Sequence, residues 1–555
     1  MRSMPASVRP HAAPIVGLFL VVFVVLLPSL LQGGAIGHPV SDMPDHYWGN
    51  WFFGGEILQG RWPDYTSVSH QPEGGTLWIA DPVGSFLMLT LRPLGFPTAW
   101  NLGLFLQLFG AALAGYWLGW TQLKNQRSAF FVGICCSCSP FAFGLLHSGL
   151  SEYAGLMWAP LFLGALLQTY SGQRHPVWPA IFLVCCTLQA FYYGVFGLLL
   201  ASCLIVGEQA KKRALLFLKT ALIWAVAALP LWMLAQSTLR SDTALITPQN
   251  APGWNPERLP VIDLMSWFRP GDWVHPDTPA MGNPGILHIN YLGVAFLVLA
   301  FIGWRHSKKL SGLKNGGALF VFFGLGPKLS WGGHITPVLL PMALLYWLPF
   351  SPFDQIHHPY RIAAFLTPLL ALWAAEGASK LPRGLQLFLP ALLLGEWLFL
   401  SPAPWPVKST PIPDVSVYQL APEGTVLDFP PDMTTANRHY VMAQVHHGHP
   451  IAYGVNRFLS DQLKGHPLVG QLVRCIEKKR RHRLARNRDI PAREPVVLQP
   501  NHDGQSLNEL GFKSLLVHHK FLNPKESQCI TTTLSQHGEV ELLHQKPAYT
   551  LWKTR

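Results

Sequence analysis

Long apolar runs broken by short polar stretches fill the first 400 or so residues, after which the pattern changes to short apolar segments in a polar background. The opening run, from about Pro14 to Leu31, follows Arg2, Arg9 and His11. At roughly 18 residues it is long enough to cross a hydrocarbon layer about 30 Å thick. No clean small-x-small cleavage site follows it and more apolar segments come after, so it reads as an uncleaved first span. Further spans are predicted near residues 98–121, 128–147, 154–170, 177–191, 192–207, 214–236, 287–304, 315–330, 360–378 and 385–402. The total is about eleven membrane helices, several of them short or broken by Gly and Pro.

The cations test that count. If the first span runs from the inside outward, every second loop is cytoplasmic, and those loops carry Lys124 and Arg127, Arg174, Lys211, Lys212 and Arg213, Arg305, Lys308 and Lys309, and Lys380 and Arg383. Each predicted inner loop is basic, as the positive-inside rule requires. The loops 33–97 and 237–286 then lie outside, and so does the tail after about residue 403. The pair 177–191 and 192–207 reads as two short helices meeting at the outer surface near Tyr192, Tyr193 and Gly194.

Composition agrees with this picture. Of 555 residues, 50% are hydrophobic and only 13% charged, too few to cover the surface of a soluble multidomain enzyme of this length. The 21 Trp residues suit the membrane-water boundary. The net charge of +12 resolves into inner-loop cations plus one basic tail run, so nucleic acid is not an expected partner. Six of the eight Cys (Cys135, Cys136, Cys138, Cys185, Cys186 and Cys203) lie in apolar stretches and read as small hydrophobes. Cys475 and Cys529 lie in the polar tail, where nothing in the pattern decides whether they pair.

The acids are concentrated. The first outer loop holds Asp42, Asp45, His46, Glu56, Asp64, His70, Glu73 and Asp81 among aromatic residues, and Asp45, Trp48, Trp51, Phe52 and Gly55 follow a helical spacing. Carboxylates held beside an apolar surface have raised pKa values or paired partners, and either condition equips them to take a proton or hold a cation. The competing reading is a solvated loop with aromatic anchors at the interface.

Several short motifs stand out: LQGRWPDY followed by QPEGG and ADP, then Trp100, Asn101 and Leu102 opening the next span, INYLGVAFLVLAFIGW (289–304), LPFSPFDQIHHPYRIAAFLTPLLALWAAEGASKL (348–381), and GTVLDFP with HHGHPIAYG in the tail. Together they resemble the GT-C superfamily, multi-pass glycosyltransferases that use polyprenyl-phosphate-linked sugars. Within the superfamily the chain is most similar to the bacterial branch related to family 39 mannosyltransferases and arabinosyltransferase-like proteins. The resemblance implies that an Asp of the first outer loop is the catalytic base, with Asp45 first choice and Asp42 second. It implies that a later acid of that loop, Glu73 or Asp81, positions the acceptor or a metal, with His46 also in the substrate-binding set. It places Arg361 on the lipid phosphate. The chain departs from the family pattern at Gln355, Ile356, His357 and His358, where an earlier Arg is expected; His357 or His358 could donate hydrogen bonds instead.

Apart from the resemblance, a polyprenyl phosphate is already a good leaving group, so the chemistry needs a base for the acceptor hydroxyl and positive charge for the departing phosphate. No cofactor is required. A divalent metal stays open, because SDMPD would put Asp42 and Asp45 on one face of a helix. In the tail, His446, His447 and His449 fall in a strand-like stretch and read as an ordinary polar strand more readily than as a zinc site. The run 474–493 is strongly basic and reads as a solvated insertion, the sharper alternative being contact with anionic lipid head groups or a phosphorylated glycan. Prolines from Pro402 to Pro413 form a stiff linker, and GTVLDFP, KSLLVHH and VELLHQKPAYTLWK read as strands of a small mixed α/β domain.

The expectation is therefore an α-helical integral membrane bundle over residues 1–402, GT-C-like, with an extracytoplasmic mixed α/β domain over 403–555. The chain would sit in the bacterial inner membrane with its N-terminus cytoplasmic. Its expected partners are membrane lipid, a polyprenyl-phosphate sugar donor and a glycan, lipid or protein acceptor. The rival readings are a transporter or flippase of lipid-linked material and a non-catalytic scaffold with the same fold. A transporter is disfavoured because the apolar runs are nearly free of charge.

Overall fold

The computed structural model describes residues 9–78, 81–206, 209–245, 259–269, 289–348, 356–431, 436–454, 459–476 and 505–555, together with Leu287 and Phe353. Gln355, most of the loop 237–286 and the basic run beyond residue 476 therefore lie outside the described residues. The chain forms two compact units. One comprises Met1–Ser41, Ala80–Met233 and Asn250–Thr410, the other Asp42–Ile79, Leu234–Gln249 and Pro411–Arg555.

The first unit is a multi-pass helical bundle. Among the described residues six helical segments are long and apolar enough to cross a membrane: His11–Leu30, Phe96–Leu123, Gln126–Ser148, Ala210–Thr238, Pro359–Ala378 and Arg383–Leu400. Shorter apolar helices cover Val177–Gln189, Phe191–Cys203 and Val294–His306. The helix Ala363–Ala378 is buried along its whole length, whereas Ala210–Leu239 leaves large side chains such as Leu222, Val226 and Met233 exposed. Exposed apolar side chains on such helices are what lipid contact requires.

Small residues let the central helix be covered closely. A Cβ at Gly303 would stand 1.7 Å from the Trp373 carbonyl oxygen, and one at Gly377 would stand 2.1 Å from that of Leu299. The helices Val294–His306 and Ala363–Ala378 thus meet backbone to backbone, the contact that substitutes for a hydrophobic drive inside a bilayer. Helix ends are satisfied by side chains. Glu396 accepts from the backbone N–H groups of Val294 (2.6 Å) and Ala295 (3.2 Å) and from the Tyr291 hydroxyl (2.9 Å), so an acid in an apolar helix serves as a cap for its neighbour. Trp100 and Asn101 have an equally local purpose. The Trp100 indole donates to the Ile36 carbonyl (2.9 Å), and the Asn101 amide bonds both Ile36 N–H (2.8 Å) and the Gly34 carbonyl (2.8 Å). They anchor the strand Ala35–Ile36, which pairs antiparallel with Ser409–Thr410.

The expected span 315–330 is not a continuous helix. The stretch 315–330 divides into a helix Lys314–Phe323 and a strand Lys328–Trp331, which pairs with His334–Leu339 and, in parallel, with Ile262–Asp263. Gly324 and Gly326 follow the helix, and Gly326 adopts φ 84°, a conformation that ends a helix readily. Asp263 then holds the turn, accepting from the N–H groups of Met265, Gly332 and Gly333 and from the Ser330 hydroxyl.

The second unit is mixed α/β, as the strand-like tail segments predict. Its sheet runs in the order Val540–Lys546, Tyr549–Thr554, Phe512–His518, Thr425–Phe429, antiparallel except for the last, parallel pair. Val426, Leu516 and Leu551 meet Val417, Tyr418 and Ala443 in its core. The helix Met43–Leu58 belongs to this unit and packs on Ala436–His447. Cys475 and Cys529 form a disulfide that joins the helices Pro467–Cys475 and Pro524–Gln536. The bond spans 54 residues, and the chain-entropy account gives such a loop about 4 kcal/mol of stabilisation. Replacing both cysteines by serine is expected to lower the thermal midpoint at which the tail becomes protease-sensitive, with no change in the bundle's helical signal.

Candidate functional site

The acid pair of the first loop is built by a helix start. Asp42 is the N-cap of the helix Met43–Leu58, with Pro44 in its first turn, and Asp45 follows in that turn. Both signals favour initiation, since Pro tolerates the first turn and acids there complement the helix dipole. The Asp42 carboxylate makes no capping bond. It accepts instead from the Arg438 guanidinium at 2.9 Å, supplied by the helix Ala436–His447.

Asp45 is half-buried beside this ion pair. Desolvation pushes its carboxyl up to about 6; Asp42 adds to the rise, and Arg438 and His46 oppose it. His46 is held one turn into the helix by its N–H bond to the Asp42 carbonyl. The aromatic residues of the loop fix the helix rather than solvate it. Trp48 donates its indole N–H to Gln444 Oε1 at 2.7 Å, and the Tyr47 hydroxyl lies 3.2 Å from His446 Nε2. Gln444 passes the tie on, donating to the carbonyls of Val68 and His449. A carboxyl with a pKa near 6, next to a fixed guanidinium, is suited to exchange a proton near neutral pH.

The other expected site residues fall into separate surroundings. Glu73 faces His70 at 3.7 Å and accepts from the Gln462 N–H at 3.3 Å. Asp81 caps the helix Pro82–Leu91, its Oδ1 accepting from the Gly84 N–H (2.7 Å) and from the Gln189 amide (2.8 Å). Both belong to ordered hydrogen-bond networks, Glu73 in the α/β unit and Asp81 in the bundle.

Arg361 sits in the 3-10 turn Pro359–Ile362 that leads into the buried helix Ala363–Ala378, and it is itself only 9% exposed. Its guanidinium lies 5.1 Å from the ring centre of Tyr192, whose hydroxyl accepts from the His357 N–H at 2.9 Å. His358 is half-buried and meets Tyr360 edge to face. Arg361, Tyr192, His357 and His358 therefore form one cationic and aromatic cluster within the bundle. Tyr192 stands at the junction where the paired helices Val177–Gln189 and Phe191–Cys203 meet.

The tail histidines are not a strand. His446 and His447 end the helix Ala436–His447, and Gly448, at φ 75°, turns the chain before His449. His447 stacks on Tyr418 with ring centres 3.8 Å apart, and burial, with His449, His446 and His518 nearby, pushes its pKa down to about 3. Among the described residues no group of three or more His, Cys, Asp or Glu side chains is arranged to hold a metal ion. The motif GTVLDFP has a different use. Asp428 is fully buried and accepts from the Tyr418 hydroxyl (2.7 Å) and from His518 Nε2 (2.8 Å), tying two strands and a turn together.

Arg438 is the residue that inspection of the sequence overlooks. It is 396 positions from Asp42, in a stretch with no motif, and only folding brings the two together.

No protein-family model and no curated protein sequence matches the chain. Solved structures do. An arabinofuranosyltransferase AftD from Mycobacteria superposes over 100% of this chain with TM-score 0.53 and 14% identity, and the chain spans 42% of that protein's length. The oligosaccharyltransferase of Archaeoglobus fulgidus superposes with TM-score 0.51 and 11% identity in a complex with Zn and sulfate, covering 98% of this chain and 73% of that one. The archaeal oligosaccharyltransferase AglB from Archaeoglobus fulgidus, in complex with an inhibitory peptide and a dolichol-phosphate, gives TM-score 0.50 at 9% identity, over 97% of this chain and 74% of that one. The protein thus shares the fold of these structures: a multi-pass helical bundle with a C-terminal mixed α/β domain.

Proposed function

We propose that the protein is a membrane glycosyltransferase that moves a sugar from a polyprenyl-phosphate-linked donor to the hydroxyl of an extracytoplasmic acceptor: a glycan, a lipid or a protein. The observation that carries the reading is Asp45, a carboxyl of the loop after the first span with a pKa raised to about 6 beside the Asp42–Arg438 pair. The likeness to a fold found with a dolichol-phosphate supports a lipid-phosphate donor.

In this reading Asp45, or Asp42 in its place, takes the proton of the acceptor hydroxyl as its oxygen bonds to the anomeric carbon. The bond from that carbon to the phosphate oxygen breaks, and the lipid phosphate leaves with the electron pair. Arg361 holds the phosphate and neutralises its charge, with His357 and His358 as further donors. His46, Glu73 and Asp81 are assigned to the acceptor and donor-sugar surroundings. The membrane placement follows the basic loops: N-terminus cytoplasmic, α/β unit outside, in a bacterial inner membrane of the cell envelope. The Cys475–Cys529 bond agrees with an oxidising compartment.

The direct test is reconstitution of the purified protein in vesicles with labelled polyprenyl-phosphate sugars. Release of free polyprenyl phosphate together with a labelled product is expected; binding of these lipids without turnover would overturn the enzyme reading. Arg438 supplies a finer test. Because Arg438 opposes the rise in the Asp45 pKa, Arg438→Gln is expected to move the acid midpoint of kcat/KM upward from about 6. Activity would then fall more at pH 6 than at pH 8, and Arg438→Lys should restore most of the wild-type profile.

A further inference from the structure

A cavity of about 420 Å³ opens in the helical bundle, within the size range of small-ligand sites. Four stretches line it: Ala13 and Pro14 of the first helix, the turn and helix start at 125–131, the end of the buried helix at Ala375 and Ala378, and Gln386 to Pro390 of the next helix. Each stretch lies at or near one end of a membrane-length apolar helix. The cavity therefore lies where hydrocarbon gives way to head groups.

Its walls are of two kinds. Phe130, Leu387, Leu389 and Pro390 are apolar lining residues, and Asn125, Arg127 and Gln386 are polar ones. Asn125 and Gln386 are already engaged, Asn125 as the cap of the helix Gln126–Ser137 and Gln386 as a donor to the carbonyls of Ser379 and Leu381. Arg127 is exposed and makes no ion pair among the described residues. Lys124 and Arg383, both exposed, stand three residues before the lining residues Arg127 and Gln386 in sequence, and Lys380 stands 3.9 Å from the buried Glu376. The ionic balance of these residues is positive.

We infer that this cavity binds a membrane phospholipid with a net negative head group, Arg127 meeting the phosphate and an acyl chain lying against Phe130, Leu389 and Pro390. Charge complementarity selects the head group, since a cation beside an anionic lipid surface gains from the negative potential there. The apolar wall selects a lipid over a free anion. The site is separate from the residues assigned to sugar transfer and does not depend on that assignment.

The test uses the full-length protein in detergent, stripped of lipid and titrated with phosphatidylglycerol, phosphatidylcholine or inorganic phosphate, with binding read by native mass spectrometry. Phosphatidylglycerol should be retained about fivefold better than phosphatidylcholine, the effect of roughly one interfacial cation. Arg127→Gln should remove that preference, and Leu389→Trp, which fills the apolar side, should reduce retention of both lipids. Lys553→Gln, the same charge change on an exposed residue of the tail, should alter nothing. Equal retention of the two lipids by the wild type, or an undiminished preference in Arg127→Gln, overturns the proposal. So does inorganic phosphate competing as well as the lipid. If the preference emerges only after deletion of residues 2–8, the chain's own N-terminus fills the cavity and the proposal is likewise wrong.

Discussion

Asp45→Asn is expected to lower kcat by about a hundredfold to ten-thousandfold, the usual worth of a positioned general base. Donor affinity should change little, because the amide keeps the shape of the side chain and loses only its basicity. The pH profile gives an independent check. A base must be unprotonated, so wild-type kcat/KM should rise as pH passes through about 6 and level off above it. The residual activity of the Asn variant should lack that inflection. Unfolding is a poor explanation for such a loss. The folded-state pKa of Asp45 lies above the ordinary 3.8. Its contribution to stability is therefore fully present below about 4 and lost as pH rises through about 6. At pH 8 the wild type bears the cost of a half-buried carboxylate that the Asn variant avoids, so the variant should be no less stable by thermal melting. Asp42→Asn differs in kind. It removes a partner of Arg438 and a neighbouring negative charge, so it should lower the Asp45 pKa and shift the inflection downward. If Asp42→Asn rather than Asp45→Asn abolishes turnover, the roles of the two acids are reversed.

Arg361→Gln is expected to cost about a hundredfold to a thousandfold in kcat, similar to the loss of one preorganised group that stabilises transition-state charge. Arg361→Lys should recover part of this, since an ammonium supplies charge but not the planar fork that matches a phosphate. The KM for the donor should rise in both variants. The bundle ought to tolerate them, because the turn Pro359–Ile362 is held by backbone bonds and by Tyr360 and Ile362 in the core. Substitution of Tyr192 by Phe supplies the contrast. It keeps the ring under the guanidinium but removes the hydroxyl that accepts from the His357 N–H, so a small effect would assign the cluster's function to Arg361 itself. A full loss would place it in the Tyr192–His357 tie. Kinetics with a short-chain soluble donor separate the two, since only a phosphate contact persists without the lipid tail.

Much of the architecture is visible in the order of residues. A membrane span is specified locally: about twenty apolar residues can satisfy their backbone groups by forming a helix whatever their neighbours do. That is why His11–Leu30, Phe96–Leu123 and Ala210–Thr238 stand out, and why the helix beginning at Asp42 is announced by an acid, a proline and the spacing of Trp48, Trp51 and Phe52. Alternation and turn residues announce the tail's strands in the same way. Where two local readings compete, the pattern misleads. The residues 315–330 are apolar enough for a span, yet they split at Gly324 and Gly326 because Asp263 and a strand at Ile262 take up the backbone beyond. His446 and His447 look like strand residues and end a helix, because Gln444 and Tyr440 on that helix meet Trp48 and His518, partners far away in sequence.

Composition and order alone establish a multi-pass membrane helix bundle, the mixed α/β character of the tail and the loop after the first span in which the acids collect, because each is the sum of local preferences. Three-dimensional folding settles which acid meets a cation, since Arg438 reaches Asp42 across 396 positions and the Asp45 pKa depends on how closely that contact is buried. It also settles the pairing of Cys475 with Cys529 and the backbone contact of Gly303 with Gly377. Those features depend on distances between remote residues, and a linear pattern of polar and apolar positions carries no such distances.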